Sequence, residues 1–282
     1  MPDVAVVYLA RERSGLESLQ QFLRSYERHA GGLEHDLAVV FKGFSQEAEL
    51  AEWRAALSRF SHRELHMSDF GFDVRAYSRA ARRLPHRYLC FLNSFSEPLA
   101  PDWLRILHRW TVEPGVGVVG CTGSWESMLS NAERQLASAA SLPLLARLSL
   151  RLRTLLNRRA HAPFPNPHLR SNAFLISREL MDRIWPRFVV TKRGAYLWEN
   201  GRNGFTRHIQ ELNLRVLVAG KNGQAYGPDE WPCSGTFRQR NQENLLVADN
   251  QTRGYDEADA KGRRRLSMYA WGEDLTSNAV KG

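Results

Sequence analysis

Residues 86–104 read HRYLCFLNSFSEPLAPDWL, and this stretch decides the fold. The apolar run 88–92 predicts a short buried strand bounded by polar turn residues. Asn93, Ser94, Ser96 and Glu97 follow it, and Pro101 and Asp102 then open an amphipathic helical pattern. In an open parallel α/β sheet, ligands bind beyond the carboxyl ends of the strands, where loops meet helix amino termini. The stretch therefore predicts a strand, a loop at the ligand-binding edge, and a helix leading away from it.

The same rhythm extends in both directions. Residues 4–9 are a continuous β-type run, and Ser14 and Glu17 have capping-box spacing ahead of Leu16, Leu19, Phe22 and Leu23. Residues 35–41 predict a second strand, 47–60 a helix, 64–67 a weak strand and 73–83 a helix. Beyond the opening stretch, 116–122 and 172–177 predict strands, 205–212 a helix and 214–219 a strand. This alternation predicts an α/β fold, a mostly parallel sheet flanked by helices with right-handed crossovers. Residues 1–222 form the main unit, interrupted by a helical insertion at 130–165. Residues 223–282 mix Pro, Gly and polar residues around one apolar island, and predict an extension that wraps onto the same domain.

With 282 residues, 43% hydrophobic and 24% charged, the chain has the composition of a globular protein. No apolar run approaches the ~20 residues needed to cross a bilayer. The amino terminus carries an acid, lacks a basic segment and runs straight into a strand pattern, which does not predict a signal peptide. Cys90, Cys121 and Cys233 are scattered without Cys-x-x-Cys spacing. That suggests neither a disulfide framework nor a zinc site and suits a cytoplasmic setting. The net charge of +9 is uneven, with arginines crowded between 147 and 170. Such charge suits phosphorylated substrates, anionic lipid or nucleic acid. No nucleic-acid-binding motif accompanies it, so nucleic acid is the weakest of the three.

Within the insertion, Leu144, Leu145, Leu148, Leu152, Leu155 and Leu156 share one helical face, with Arg147, Arg151 and Arg158 mainly opposite. Two readings stand. The leucines pack on the sheet and the arginines are solvated, the commoner arrangement, or the helix lies peripherally on an anionic membrane.

The opening stretch also resembles the strand–loop–helix of GT-A glycosyltransferases of the family 2 type. There an apolar strand ends in Asp-x-Asp or Asn-x-Asp, followed by a Glu and a Pro-(Asp/Glu)-Trp-Leu helix start. Asn93, Ser94 and Phe95 hold those motif positions here, so the family's metal-binding Asp is missing. SDFGFDVRAYSRA at 68–80 resembles the segment that lines the nucleotide pocket. HLRSNAFLIS at 168–177 resembles the strand facing the acceptor, and WENGRNGFTRHIQELNLRVLV at 198–218 the segment bearing the catalytic acid.

The resemblance implies a GT-A-like, Rossmann-related domain with a nucleotide-sugar donor as co-substrate. Ala10, Arg11, Asp69, Asp73, Asn93 and Ser94 are the donor-binding candidates, the arginine because guanidinium matches phosphate geometry bidentately. Trp125, Glu126, Arg170 and Asn172 are the acceptor or sugar candidates. Glu199 is the candidate base, with Asn200 in the second acidic position; a base must be ionised and within reach of the hydroxyl proton. Capping a helix is the structural alternative for both Asp73 and Glu199. Mg²⁺ or Mn²⁺ wants carboxylate oxygens, and only Glu97 offers one near the motif. Glu97 as a metal ligand, arginines in place of metal (Arg238 or Arg253 of the tail), and loss of catalysis all remain open; weak or absent metal dependence is the expectation. The function implied is sugar transfer to a glycan or lipid-linked acceptor in bacterial surface polysaccharide assembly. The alternative is a catalytically reduced relative that binds nucleotide or glycan as an accessory factor.

Overall fold

The computed structural model describes residues 1–185, 189 and 191–272. In chain order the strands are β1 (Val4–Arg11), β2 (Asp36–Lys42), β3 (His62–Met67), β4 (Tyr88–Leu92), β5 (Glu97–Pro98) and β6 (Val116–Gly120). They continue with β7 (Gly123–Ser124), β8 (His168–Leu169), β9 (Ala173–Ser177), β10 (Arg215–Ala219), β11 (Ala225–Tyr226) and β12 (Val247–Ala248). The helices are α1 (Leu16–Arg28), α2 (Glu47–Leu57), α3 (Asp73–Arg83), α4 (Trp103–Thr111), α5 (Met128–Ala137) and α6 (Leu144–Ala160). After them come α7 (Arg178–Ile184), α8 (Lys192–Asn200), α9 (Phe205–Glu211), α10 (Asn250–Asp256) and α11 (Ala260–Trp271).

Eight strands form one sheet in the order β11-β10-β6-β9-β4-β1-β2-β3. β1 runs parallel to β2 and β4, β2 to β3, and β6 to β10. β9 alone is wedged in reverse between β4 and β6, and β11 adds an antiparallel edge. The expected α/β architecture, a mostly parallel sheet flanked by helices, is thus present. The strands alternate their side chains between two apolar layers. Val7, Leu9, Phe91 and Phe174 face α3, whose Val74, Tyr77, Ala80 and Ala81 are buried. Val6, Tyr8, Cys90 and Leu92 face α1 and α4, which contribute Phe22, Leu23, Trp103 and Leu107. Tyr8 and Phe22 stack with ring centroids 4.0 Å apart. Burial on both faces explains why the inner strands read as unbroken apolar runs.

The reversal of β9 matters most for the site. It pairs Leu92 with Ala173, so the start of β9 lies beside the end of β4. Asn93 N donates to Asn172 O at 2.9 Å, continuing the ladder one residue further. Arg170, Ser171 and Asn172 therefore reach the edge where β1, β2 and β4 end.

Two local expectations are corrected. Ser14 does not cap α1: Glu12–Ser14 form a tight 3-10 turn, and Gly15 precedes the helix at φ 77°. A glycine there lets the chain reverse out of β1 without Cβ strain, and Ser18 Oγ donates back to Gly15 O at 2.7 Å. The leucines of α6 do not pack on the sheet; the six named above are all exposed.

The tail runs back over the main sheet. β12 pairs with β5 just past the end of β4, and Trp231 and Trp271 are buried in the layer that holds Phe174. Cys90 and Cys121 are buried free thiols, and Cys233 is exposed. Among the described residues no helix is long and apolar enough to cross a membrane.

Candidate active site

At the carboxyl end of β1, Arg11 grips Asp69, Nε to Oδ1 at 3.0 Å and Nη2 to Oδ2 at 3.3 Å. Arg13 approaches the second oxygen at 3.4 Å. Lys42 ends β2 with its side chain almost wholly buried, and its Nζ donates to Asp69 O at 2.6 Å and Oδ1 at 3.0 Å. Burial alone would raise the Asp69 carboxyl. The hydrogen bonds and charges of Arg11 and Lys42 outweigh it and hold the group down at about 2. Burial lowers the Lys42 ammonium, with Asp69 opposing. Lys42 is the main partner that the sequence did not single out; a lysine closing an apolar strand was its only signal. Ala10, one residue earlier, is fully buried between the layers, which leaves only its backbone to face a ligand.

Asp73 and Glu199 line a second region. A cleft of about 150 Å³ is bounded by Phe72, Asp73, Ser171, Lys192, Tyr196 and Glu199. Glu199 sits in the last turn of α8 and accepts hydrogen bonds from Ser171 N at 3.1 Å and Ser171 Oγ at 3.2 Å. It caps no helix. Burial raises its carboxyl, and the Arg170 charge and the Ser171 bonds offset that only in part. Asp73 is the first residue of α3 and makes no side-chain cap bond; Phe72 holds the capping position. Burial raises Asp73, Arg11 and Lys42 pull against it, and the charge of Glu199 pushes it further up. Ser171, Lys192 and Tyr196 were not read as site residues, because only the reversed β9 and the packing of α8 bring them to this cleft.

The loop after β4 is tied internally. Asn93 Oδ1 accepts from Phe95 N at 2.9 Å and Ser96 Oγ at 3.0 Å, and Ser94 O accepts from Tyr8 Oη at 2.8 Å. Glu97 pairs with Arg253 of α10, which also donates to Phe95 O at 3.2 Å. Asn172 accepts from Thr122 Oγ1 at 2.6 Å, while its buried Nδ2 has no partner among the described residues. Arg170 donates to Asp249 Oδ2 at 2.8 Å and to Thr122 Oγ1 at 3.2 Å, and lies 4.3 Å over the Phe237 ring. Asp249 is fully buried and caps α10 through Gln251 N and Thr252 N. Arg238 also lies over Phe237, at 4.8 Å, and donates to Gln251 Oε1 at 2.8 Å. Burial and the neighbouring Arg170 bring it down to about 10, which leaves it a cation at neutral pH.

Trp125 and Glu126 stand further along this edge. Trp125 Nε1 donates to Pro228 O at 2.9 Å, and its ring meets Trp271 edge-on at 6.2 Å. Glu126 accepts from Asn131 Nδ2 at 2.7 Å and lies 3.9 Å from Arg238. The predicted candidates thus separate into three groups: Arg11 with Asp69, Asp73 with Glu199, and the remainder around the end of β4 and the tail.

The donor set beside β4 does not fit a divalent cation. Asn93 Oδ1 is committed to two donors and Glu97 to a guanidinium, and such ions want unshared carboxylate oxygens. Among the described residues, no group of three or more His, Cys, Asp or Glu side chains could hold one. What surrounds this edge instead is guanidinium, from Arg170, Arg238 and Arg253.

No protein-family profile and no curated protein matches the chain. Among solved structures it is similar to a mannosyltransferase from Pyrobaculum calidifontis in complex with GDP-Man and Mn²⁺, at 13% identity and a TM-score of 0.48, covering 99% of this chain and 74% of that one. It is similar to glucosyl-3-phosphoglycerate synthase from Mycobacterium tuberculosis at 20% identity and a TM-score of 0.35, covering 64% and 57%. It is also similar to a 4-diphosphocytidyl-2C-methyl-D-erythritol synthase from Anaerococcus prevotii at 10% identity and a TM-score of 0.45, covering 77% and 87%. The α/β sheet order stands on the strand ladder of this chain itself, and the activities named belong to those proteins.

Proposed function

We propose that the chain transfers a sugar from a nucleotide-sugar donor to an acceptor hydroxyl, with Glu199 as the base. One observation carries this reading: Glu199 is held by Ser171 in a cleft at the ligand-binding edge of the sheet, with its carboxyl raised by burial. A carboxylate whose proton affinity is raised is a better proton acceptor for a hydroxyl than an ordinary one. Glu199 takes the acceptor proton as the oxygen attacks the sugar carbon, and the nucleotide phosphate leaves with the bonding electrons. Guanidinium groups at the end of β4, above all Arg170 and Arg253, offset the charge that develops on it. No step runs through a metal. A glycan or lipid-linked acceptor, and a place in bacterial surface polysaccharide assembly, extend the same reading by resemblance.

A second reading has an observation of its own. The cleft is about 150 Å³, below the roughly 300–1,000 Å³ of ordinary ligand sites. The pairs Arg253–Glu97 and Arg170–Asp249 fasten the tail beside it. A protein that binds nucleotide or glycan without turning it over fits that geometry.

The test is to incubate the chain with UDP-, GDP-, dTDP- and CMP-sugars, each with EDTA and with Mn²⁺, reading thermal stability and nucleotide release. Transfer predicts that one donor class raises the midpoint and releases nucleotide, with EDTA making little difference. A shift without release, even with mixed glycan and lipid-linked acceptors, favours the accessory reading. Neither shift nor release defeats both.

A further inference from the structure

Helix α6 carries its apolar face outward. At the helical advance of about 100° per residue, Ala146, Leu150, Thr154 and Asn157 share one face. That face packs toward α5: Thr154 is buried, and Asn157 Nδ2 donates to Met128 O at 3.1 Å. The six leucines of the stripe fall on the opposite side, from 42% exposed at Leu156 to 80% at Leu145, with Leu142 exposed just ahead of them. An apolar stripe this long on one exposed helix marks an interaction surface.

Charge identifies the occupant. Arg147, Arg151 and Arg158 run along one border of the stripe, Arg153 along the other, and Arg159 closes the last turn. Residues 142–162 contain no Asp or Glu. A second copy of the chain docking through this face by a two-fold axis would oppose the patch with itself. Its arginines would then meet arginines: α6 carries no acid to answer them, and Glu133 of the neighbouring α5 is already paired with Arg158 at 3.3 Å. Lipid headgroup phosphates answer them directly, and acyl chains take the leucines.

We propose that α6 lies in the interface of an anionic bilayer, with its leucines among the acyl chains and its arginines at the lipid phosphates. The helix keeps its inner face on α5 in this arrangement, so docking needs no unfolding. Its carboxyl end is tied to the end of α8, through Arg202 N to Ala160 O at 2.8 Å and His161 Nδ1 with Asn200 O at 3.2 Å. Docking is a property of this face and does not depend on the transfer reading.

The full chain is sedimented with phosphatidylcholine vesicles, and with vesicles containing an equal share of phosphatidylglycerol, at low and high salt. Binding about tenfold tighter or more to the anionic vesicles, weakened by salt, is expected from several arginines at the surface. Leu145→Glu with Leu152→Glu abolishes that binding, and Arg147→Glu with Arg151→Glu removes the preference for anionic lipid. These side chains stand in solvent, apart from the half-buried Arg147, so an unchanged melting midpoint certifies the fold. A second readout uses a polarity-sensitive dye on Leu148→Cys in a Cys233→Ser background, which removes the exposed native thiol. Its emission shifts to the blue on anionic vesicles. Equal binding to neutral vesicles overturns the proposal, as does binding that survives the leucine variants. A wild-type dimer that the leucine variants split, with no vesicle binding, overturns it in favour of self-association.

Discussion

Asp69 and Asp73 stand one helical turn apart in sequence at the same edge of the sheet, yet their surroundings drive them in opposite directions. Asp69 faces Arg11, Arg13 and the buried Lys42, and its carboxyl is held down at about 2. Asp73 and its neighbour Glu199 face a cleft, form no salt bridge among the described residues, and are both raised by burial. A carboxylate saturated by cations is fixed in its ionised form and serves as a strut. One that is part-buried and under-compensated keeps its proton to higher pH than an ordinary carboxyl. On the transfer reading, the β1–β3 side of the edge is the strut and the α3–α8 side carries the chemistry.

The sharpest way to break that contrast is Glu199→Gln. On the transfer reading kcat/KM falls by about 10²–10⁴-fold, the usual contribution of a positioned base. Stability moves the other way. A carboxyl raised in the folded state disfavours folding when it is ionised, so removing the charge leaves the midpoint unchanged or higher. Nucleotide-release kinetics and thermal unfolding on the same preparation check both signs. Unchanged turnover in this variant ends the assignment of Glu199 as base.

Asp69→Asn has the complementary signature. It leaves the Lys42 ammonium buried beside Arg11 with only Asp73, which makes no salt bridge to it, as counter-charge, and breaking a buried pair costs about 3–5 kcal/mol; the part-exposed Asp69 places the loss near the lower figure. The folded carboxyl is depressed from its ordinary 3.8 to about 2. Its stabilisation is therefore present in full above 3.8 and vanishes as pH falls through about 2. Denaturant unfolding at neutral pH shows the full gap between wild type and variant, and the gap narrows across that acid window.

The part of this contrast legible in the sequence is uneven, for physical reasons. The strand 88–92 and the helix 73–83 can be read directly, as can the strand starting at 116 (expected to run to 122, it ends at Gly120), because burial on both faces and helical periodicity leave local signatures. Arg11, Asp69, Asp73 and Glu199 were reached through family-like segments, since a carboxylate's role depends on neighbours distant in the chain. Ser171 and Lys42 carry no local signal of function. Ser171 becomes a partner of Glu199 only because β9 runs backward between β4 and β6, and strand direction is set by the tertiary fold. The α6 stripe misled in the other direction: six leucines at helical spacing usually mean a core face, and periodicity cannot say which side of a helix has a neighbour.

Proton chemistry sharpens the contrast further. The acid limb of the pH–rate profile lies above the ordinary glutamate value of 4.5, because Glu199 must be ionised to act and its carboxyl is raised. Asp73→Asn removes a like charge facing Glu199, so Glu199 ionises more easily and the limb moves to lower pH. The displacement of the limb reads the coupling that the Glu199 charge exerts on Asp73 from the other side. A limb that stays in place shows that the two groups titrate independently.

The smallest effect belongs to Glu97, the carboxylate of β5 just past the end of β4. Its side chain is 23% exposed and that of Arg253 31%, so their pair contributes about 1 kcal/mol or less. Glu97→Gln therefore leaves the unfolding midpoint nearly unchanged. The informative readout is the response to Mn²⁺. With Arg253 on Glu97 and Asn93 committed to Phe95 and Ser96, donor turnover with EDTA and with Mn²⁺ is alike in the wild type, and stays alike in the variant. If Mn²⁺ instead accelerates the wild type and not Glu97→Gln, the ion displaces Arg253. Glu97 then joins Glu199 among the groups that do chemistry, and the line between strut and active carboxylate runs through the loop after β4 as well as between α3 and β1.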